Sequence, residues 1–222
     1  MSRRIHIFTG HFGSGKTEIA VNYAMMLSRK SKGTILVDLD IINPFFRSSE
    51  VKEVLEQEGV RVISPVFALT TVDVPSLPAA VQSVFQTEQG QVVFDVGGDE
   101  VGARVLGRYY HYFSAAGYEM FYVINTRRPL SSTPEDIIEM LEAVQDRSRL
   151  QVTGLISNTN LSYETEVSHI LEGQMIVEEV GRRRSLPVVM TCASREVFDQ
   201  LSDSMKGKIF PLNLYMIPPW RD

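Results

Sequence analysis

Residues 10–17, GHFGSGKT, are the stretch whose residue types and spacing are best suited to chemistry. They fit the pattern G-x-x-x-x-G-K-[ST], with a strand-like run before them and a helical pattern after them. Glycine allows positive φ and close approach of the backbone, so successive N–H groups can converge on phosphate oxygens at the positive end of a helix dipole. Lys16 is expected to hold the β- and γ-phosphates of a nucleoside triphosphate, and Thr17 to offer its hydroxyl to Mg²⁺. The residues of this phosphate-binding loop expected to contact the nucleotide are Gly10, His11, Phe12, Gly13, Ser14, Gly15, Lys16, Thr17 and Glu18.

Carboxylates follow two hydrophobic runs of the chain. The run VVFD ends at Asp95, which is expected to hold Mg²⁺ through water, and Gly98 in the next turn would let a backbone N–H approach the γ-phosphate. A helix-capping role is the alternative for Asp95. The run ILVDLD presents Asp38 and Asp40, which are expected on opposite faces of the chain and therefore in different tasks. Such groups belong at the carboxyl ends of parallel strands, where nucleotide chemistry needs them.

The elements that must position these residues are visible as an alternation of short β-branched runs with longer helical patterns. This alternation predicts an α/β fold with a mostly parallel sheet of about seven strands and helices on both faces. The helix after the loop is expected to end near Gly33, and Thr133 followed by Pro134 predicts the capped start of another helix. The strand-like runs are RIHIF, TILVDLD, VRVIS, QVVFDVG, YEMFYVIN, LQVTGLISN and PVVMTC.

Composition narrows the classes of partner and the cellular setting. The 222 residues, 44% of them hydrophobic, fit one domain that spans residues 1–222. The net charge of −5 gives no global attraction to nucleic acid or acidic lipid, so neither a nucleic-acid nor a membrane partner is expected. No apolar run approaches a membrane span and no secretory h-region is visible, which predicts a cytoplasmic protein. The single cysteine, Cys192, is expected to be a buried thiol.

Four stretches together resemble the MinD/ParA branch of the SIMIBI-class P-loop NTPases. They are GSGKT, VDLD, DVGG and the GLISNTNL run that contains Asn158, and the resemblance covers roughly residues 4 to 200. It implies the P-loop NTPase architecture, with Asp40 as the switch I carboxylate that orients the attacking water. It also implies that Asp38 lies nearer the metal shell and that Asp95 is the Walker B carboxylate.

The same resemblance extends to the base of the nucleotide. Asn158, at the end of its strand, corresponds to the asparagine that reads the adenine edge. The run TCASREV resembles the loop that closes over the base, which makes Arg195 a candidate on that side. ATP rather than GTP is therefore the expected nucleotide, with Mg²⁺ as the metal.

The phosphate loop departs from that branch at two positions. Its members usually begin the loop K-G-G-x-G-K-T, with an extra lysine that reaches the nucleotide of the partner subunit in a sandwich dimer. Here His11 stands in the place of that lysine and Phe12 replaces a glycine. Histidine titrates near neutral pH, whereas lysine is fully charged there. The sequence therefore leaves open whether turnover depends on a homodimer.

Other arginine and aromatic residues allow a functional and a purely structural interpretation. Arg104 and Arg108 on a helical pattern would act as an arginine finger or form a solvated basic face. Arg127 and Arg128, in NTRRP, would contact phosphate or a partner, or belong to a solvated loop. The phenylalanines of NPFFRS would form a nucleotide-sensitive patch if exposed, or pin the loop if buried.

Three hypotheses follow for function. The first is a Mg-dependent ATPase, with Lys16 and Asp40 as catalytic residues, that acts as a nucleotide-driven switch on a protein partner. The second is a small-molecule kinase or ATP-dependent ligase of the dethiobiotin-synthetase-like type, which predicts a substrate pocket beside the γ-phosphate. The third keeps the nucleotide as a structural ligand, against which the presence of Lys16, Thr17, Asp40 and Asp95 argues.

Overall fold

An eight-stranded parallel sheet lies at the centre of the chain in the computed structural model, which describes residues 3–40, 51–64, 79–87 and 89–216. The strand order is β3-β2-β4-β1-β5-β6-β7-β8, and every neighbouring pair is parallel. The predicted NPFFRS segment lies outside the described residues. The strands are β1 (Ile5–Thr9), β2 (Thr34–Asp38), β3 (Val60–Ile63), β4 (Val92–Asp95), β5 (Tyr118–Ile124), β6 (Gly154–Ser157), β7 (Val188–Ser194) and β8 (Ile209–Leu212).

Helices cover both faces of this sheet, as predicted. One buried apolar cluster contains residues of α4, α6 and α7, and a second contains residues of α1 and α2. None of the helices in the described ranges is long and apolar enough to cross a membrane. The helices are α1 (Lys16–Lys30), α2 (Lys52–Gln57), α3 (Ala79–Gln86), α4 (Glu100–Arg108), α5 (Tyr110–Ala116), α6 (Pro134–Ser148), α7 (Val167–Arg184), α8 (Arg195–Asp199) and α9 (Asp203–Lys206).

Local signals located several element ends correctly. Helix α1 ends three residues before Gly33, whose φ of +86° is one that glycine adopts without strain. Thr133 caps α6 by accepting a hydrogen bond from the backbone N–H of Asp136, and Pro134 is the first helical residue. Cys192 is buried, as expected.

One strand was not predicted from the sequence. Strand β8 contains Pro211 and lies in the proline-rich tail, at the end of the strand order next to β7. An edge strand tolerates proline because one side of it does not need to donate to a ladder. The sheet therefore has eight strands among the described residues, where seven runs were expected.

The topology brings the candidate residues to one edge of the sheet. Strand β1 lies between β4 and β5, so the loop that follows β1 is flanked by the chain that follows each neighbour. Asp38 and Asp95 are paired in register at the ends of β2 and β4. Because all strands are parallel, their carboxyl ends share one edge, which is where ligands bind in such sheets.

Candidate functional site

The phosphate-loop segment, residues 10–17, connects β1 directly to α1. Gly13 and Gly15 have φ values of +75° and +82°, which are left-handed conformations that favour glycine. The backbone N–H of Ser14 donates to the carbonyl of His11 at 3.0 Å, which closes a turn inside the loop. The loop thus ends at the N terminus of α1, where unpaired N–H groups and the helix dipole favour an anion.

Two glycines allow backbone segments to touch at the start of this loop. A Cβ on Gly10 would lie 2.3 Å from the carbonyl oxygen of Val123, and a Cβ on Gly98 would lie 2.2 Å from the carbonyl oxygen of Gly10. Neither position has room for any other residue. The chain after β4 is therefore packed against the beginning of the loop, where Gly98 is expected to approach the phosphates.

Lys16 and Asp40 form a buried ion pair at the loop. The Nζ of Lys16 lies 2.8 Å from Oδ2 of Asp40, and the two side chains are 6% and 5% exposed. Burial lowers the pKa of Lys16, but the charges of Asp40, Asp95 and Asp99 outweigh it, so the pKa is raised. Lys16 is therefore positively charged and already in contact with a carboxylate.

Asp38 and Asp40 lie close together, and both are near Asp95. Strand β2 ends at Asp38, and the backbone N–H of Asp40 donates to Oδ1 of Asp38 at 3.1 Å. The expectation of opposite faces was wrong, because residues two positions apart in an extended chain point to the same side. Both carboxylates raise the pKa of Asp95, so both negative charges act on the same point.

Asp95 is completely buried at the end of β4. Burial raises the pKa of its carboxyl group to about 7, with Asp38 and Asp40 adding to the rise, while Lys16 and the nearby Thr17 hydroxyl oppose it. Neither oxygen of Asp95 has a hydrogen bond of ordinary geometry to a described residue. A buried carboxylate that lacks hydrogen bonds is stabilised by a nearby cation.

The donor set at Asp95 and Thr17 fits Mg²⁺. In the described ranges, no group of three or more His, Cys, Asp or Glu side chains is arranged to hold a metal ion by itself. Mg²⁺ is ordinarily held by one or two carboxylates together with phosphate oxygens and water. The orphaned Asp95 carboxylate and the adjacent Thr17 hydroxyl are oxygen ligands of that kind.

Asn158 joins the end of β6 to the loop. Its Nδ2 donates to the carbonyl oxygen of Ser14 at 2.8 Å, and a Cβ on Gly15 would lie 2.3 Å from that nitrogen. The amide nitrogen is therefore engaged with the loop backbone. The amide oxygen and the second N–H of Nδ2 are the groups of Asn158 left for the edge of a base.

Arg195 lies away from the loop. It opens α8, is exposed, and lines a cavity of about 290 Å³ beside α1 together with Asn22, Arg29 and Phe210. The residues that line this cavity include none of residues 10–18. The structure therefore does not bring Arg195 together with the phosphate loop through this cavity.

The side chain of Glu18 is directed to the C-terminal strap, which we define as residues 213–216. Its two carboxylate oxygens accept the backbone N–H groups of Tyr215 at 2.8 Å and Met216 at 3.0 Å. Burial raises the pKa of Glu18 to about 7, although these two hydrogen bonds oppose the rise. Of the groups of Glu18, the backbone N–H is the one left for a nucleotide.

The two unusual loop residues differ in exposure. Phe12 is 64% exposed, whereas His11 is partly covered and its Nδ1 is buried without a hydrogen-bond partner among the described residues. The loop therefore presents an aromatic ring to solvent beside the phosphate site.

Arg128 is a contact of the loop to which the sequence assigned no definite role. Its Nε donates to the carbonyl oxygen of Gly13 at 3.2 Å. The neighbouring Arg127 pairs with Glu172 instead, so sequence alone did not separate the two arginines of NTRRP. The signal that could have placed this stretch beside the loop is that NTRRP follows β5, which lies next to β1.

A cavity of about 260 Å³ opens between α4 and α6 and reaches Gly98. Arg104 of α4 pairs with Glu100 on its own helix at 2.6 Å and does not line it. The charged residues along the cavity are mostly acidic: Asp99, Glu100, Asp136, Glu139 and Arg147.

Comparisons with known proteins bear on the fold. No protein-family model and no curated protein sequence matches the chain. Among solved structures, the cell division protein FtsY from Thermotoga maritima matches with a TM-score of 0.57 and 17% identity, over 86% of this chain and 62% of that chain. The signal recognition particle receptor FtsY from Elizabethkingia anophelis, in complex with GDP, matches with a TM-score of 0.54 and 20% identity, over 86% and 57%.

A third match differs in size from the FtsY structures. A nucleotide-binding protein from Archaeoglobus fulgidus, in complex with ADP, matches with a TM-score of 0.53 and 13% identity, over 97% of this chain and 94% of that chain. The chain spans only about 60% of the FtsY structures it matches. At these identities the likeness concerns the fold and does not single out the MinD/ParA branch. The chain therefore shares the α/β P-loop NTPase-like fold of these structures.

Proposed function

We propose that this protein binds ATP with Mg²⁺ and hydrolyses it as a nucleotide-driven switch on a protein partner. The observation that carries the proposal is the buried Lys16–Asp40 pair, 2.8 Å apart, beside the orphaned carboxylate of Asp95 at a phosphate loop. A site that holds a nucleotide only as a structural ligand does not need the buried carboxylate of Asp40. Hydrolysis does need it, because the attacking water must be oriented toward the γ-phosphate.

In this proposal, Lys16 changes partner when the nucleotide binds. Its Nζ moves from Asp40 to the β- and γ-phosphate oxygens, which frees the Asp40 carboxylate to accept a hydrogen bond from water. The water oxygen then bonds to the γ-phosphorus as the bond to the β–γ bridging oxygen breaks, and ADP leaves with that bridging oxygen. One proton of the water stays on inorganic phosphate and the other is released to solvent. Until the nucleotide binds, the ion pair therefore keeps Lys16 and Asp40 in contact with each other.

Thr17 and Asp95 are the residues proposed to hold Mg²⁺, Asp95 through water. When bound there, Mg²⁺ neutralises charge on the phosphate oxygens. Asn158 keeps the loop in shape from the base side through its hydrogen bond to Ser14.

The switch is proposed to pass through the segment 97–102, between β4 and α4. Gly98 packs on Gly10, and Gly102 in the first turn of α4 approaches so closely that a Cβ there would lie 1.8 Å from the carbonyl oxygen of Gly97. A shift of the loop is therefore transmitted to α4, whose Val101 is 37% exposed and available to a partner. A second copy of the chain is one such partner.

A small-molecule kinase or ATP-dependent ligase is the second candidate function. The observation that favours it is the cavity between α4 and α6, which reaches Gly98 beside the proposed γ-phosphate position. Its mostly acidic lining would suit a cationic acceptor.

Phosphate release from the purified chain tests these alternatives. ATP and GTP are each supplied with and without Mg²⁺, since the similar structures hold both GDP and ADP. Lys16→Ala and Asp40→Ala are compared with Lys208→Ala, a matched control at an exposed lysine. Unaided turnover that both site variants abolish and Lys208→Ala retains supports the switch.

The other outcomes of this assay separate the candidates. Absence of nucleotide binding by the unmodified chain overturns the proposal. Turnover that appears only after a cationic metabolite is added supports the kinase or ligase instead.

A further inference from the structure

The guanidinium group of Arg128 lies directly against the phosphate loop. Besides the 3.2 Å hydrogen bond from Nε to the Gly13 carbonyl oxygen, a Cβ on Gly13 would lie 3.0 Å from Nε and 3.4 Å from Cζ. The arginine therefore occupies the space that a side chain at position 13 would need. Glycine at this position serves both the left-handed turn and the access of Arg128.

The backbone that carries Arg128 is anchored to the sheet. Its N–H donates to the carbonyl oxygen of Asn125 at 3.2 Å, and its own carbonyl accepts from the backbone N–H and the hydroxyl of Ser131. Asn125 is fully buried, and its Oδ1 accepts the N–H of Asn160 from the chain that follows β6. Two strand ends thus fix this turn, so Arg128 approaches the loop from a defined position.

The charge of Arg128 is not neutralised by another side chain in the described ranges. Arg127 pairs with Glu172 and Arg104 with Glu100, whereas no described carboxylate lies within ion-pair distance of Arg128. A guanidinium has five N–H donors, and the contact with Gly13 uses the single donor on Nε. Four donors on the two terminal nitrogens remain for an anion.

Negative charge predominates around Lys16, and a further positive charge besides Lys16 and the proposed Mg²⁺ would help to balance it. Lys16 is surrounded by the charges of Asp40, Asp95 and Asp99, and a nucleoside triphosphate adds further negative charge. The planar fork of an arginine matches two phosphate oxygens at once, which an ammonium does not.

We propose that Arg128 binds the phosphates of the nucleotide in cis, with its terminal N–H groups donating to phosphate oxygens on the Gly13 side of the loop. This inference rests on the proposed nucleotide site and adds to it a phosphate-binding residue from the loop after β5. The arginine supplies positive charge from the same chain, at the loop in which His11 and Phe12 replace the lysine and glycine of the MinD/ParA pattern.

Binding and turnover of Arg128→Ala, Arg128→Lys and Arg127→Ala test the inference. Arg127→Ala is the matched control, because it removes the neighbouring arginine that faces Glu172. Dissociation constants for ADP and a non-hydrolysable ATP analogue are measured together with kcat and KM. We expect Arg128→Ala to lower kcat and the affinity for the ATP analogue by roughly 10- to 100-fold each, with a smaller loss for ADP, because the charge to be matched is greatest in the triphosphate and the transition state.

The two variants of Arg128 and the unfolding midpoint separate phosphate binding from a structural role. Arg128→Lys is expected to recover affinity more than kcat, and Arg127→Ala to stay within about twofold of the unmodified chain. The unfolding midpoint without nucleotide should not change, since Arg128 is exposed. Equal losses for ADP and the ATP analogue with a lower midpoint would mean that Arg128 only holds the loop, and would overturn the inference.

Three further results would each overturn the inference, and they differ in whether the proposed function stands. Unchanged kinetics and affinity in Arg128→Ala overturn the inference and leave the proposed function standing. Absence of nucleotide binding by the unmodified chain, or full binding by Lys16→Ala, overturns the proposed function and this inference with it.

Discussion

The buried carboxylate of Asp95 lowers the stability of the fold, although it is the group proposed to hold Mg²⁺. Its carboxyl group is fully buried, has no hydrogen bond of ordinary geometry to a described residue, and carries a pKa raised to about 7 by burial and by Asp38 and Asp40. Folding must pay to bury that charge at neutral pH. Groups kept in spite of such a cost are characteristic of functional sites.

Asp95→Asn should therefore separate the two effects. We expect the free energy of unfolding without Mg²⁺ to rise by roughly 1 kcal/mol, because a neutral amide replaces a buried carboxylate. Turnover should fall by about 10- to 100-fold, because the carboxylate proposed to hold Mg²⁺ is lost. Urea unfolding and phosphate release measure the two quantities. Asp146→Asn, at an exposed position on α6, is the control, and a loss of stability in Asp95→Asn would contradict the interpretation.

Gly98→Ala tests the contact between the two loops. The new Cβ would lie 2.2 Å from the carbonyl oxygen and 2.7 Å from the nitrogen of Gly10, and backbone cannot give way as a flexible side chain can. We expect a loss of about 1–3 kcal/mol in the free energy of unfolding and a weaker nucleotide affinity. Gly207→Ala, with nothing within 4 Å of its Cβ and a helical φ of −65°, should change neither. Equal behaviour of the two variants would argue against the contact.

At the scale of elements, the C-terminal strap is fastened to the helix that begins with Lys16. Glu18 and Asn22 lie one turn apart on α1, and Asn22 exchanges two hydrogen bonds of 2.9 Å with the backbone of Asn213. Glu18 accepts hydrogen bonds from the backbone N–H groups of Tyr215 and Met216 in the same strap. The strap is thus connected to the same helix as the phosphate loop.

Asn22→Ala should release part of the strap. Two hydrogen bonds to the strap backbone are lost at a largely buried position, so we expect the free energy of unfolding to fall by about 1–3 kcal/mol. The amides of Asn213, Tyr215 and Met216 should exchange faster with solvent in hydrogen-exchange measurements. Asn213→Ala is the matched control, because it keeps both backbone groups that Asn22 binds. Unchanged protection in Asn22→Ala would refute the role of Asn22.

At the scale of the whole molecule, His6 makes stability depend on pH. It is fully buried in β1, with the rings of Tyr23 and Phe121 centred 5.2 and 6.3 Å from its own. Burial lowers the pKa of His6, and Gln91 and Glu119 offset this only in part. Below a pH of about 6.5, the unfolded chain therefore binds a proton at His6 more readily than the folded chain does, so the contribution of His6 to stability falls as the pH falls.

His6→Gln, which stays neutral, should flatten this dependence. We expect the urea midpoint of the unmodified chain to drop more between about pH 7.5 and about pH 5.5 than that of the variant. His111→Gln, at an exposed histidine, should keep the slope of the unmodified chain. Parallel pH curves for His6→Gln and the unmodified chain would show that other groups cause the dependence.

Sequence by itself determined the features whose cause is local. The phosphate loop, the alternation of strands and helices, the end of α1 near Gly33 and the Thr133 cap all depend on residues within a few positions of each other. Glycine's backbone freedom, capping hydrogen bonds and hydrophobic periodicity act at that range, so these features were predictable. Strand β8 was missed because Pro211 argues locally against a strand, and only its place beside β7 makes one.

Tertiary structure alone decided which side chains meet at the site. Arg128 lies 115 positions from Gly13, Asn158 lies 144 from Ser14, and Glu18 lies 197 from Tyr215 of the strap. No local propensity distinguishes Arg128 from Arg127, or marks the carboxylate of Glu18 for the strap rather than for a ligand. The strand order places the end of β5 beside the loop after β1, and that arrangement assigns each of these side chains its partner.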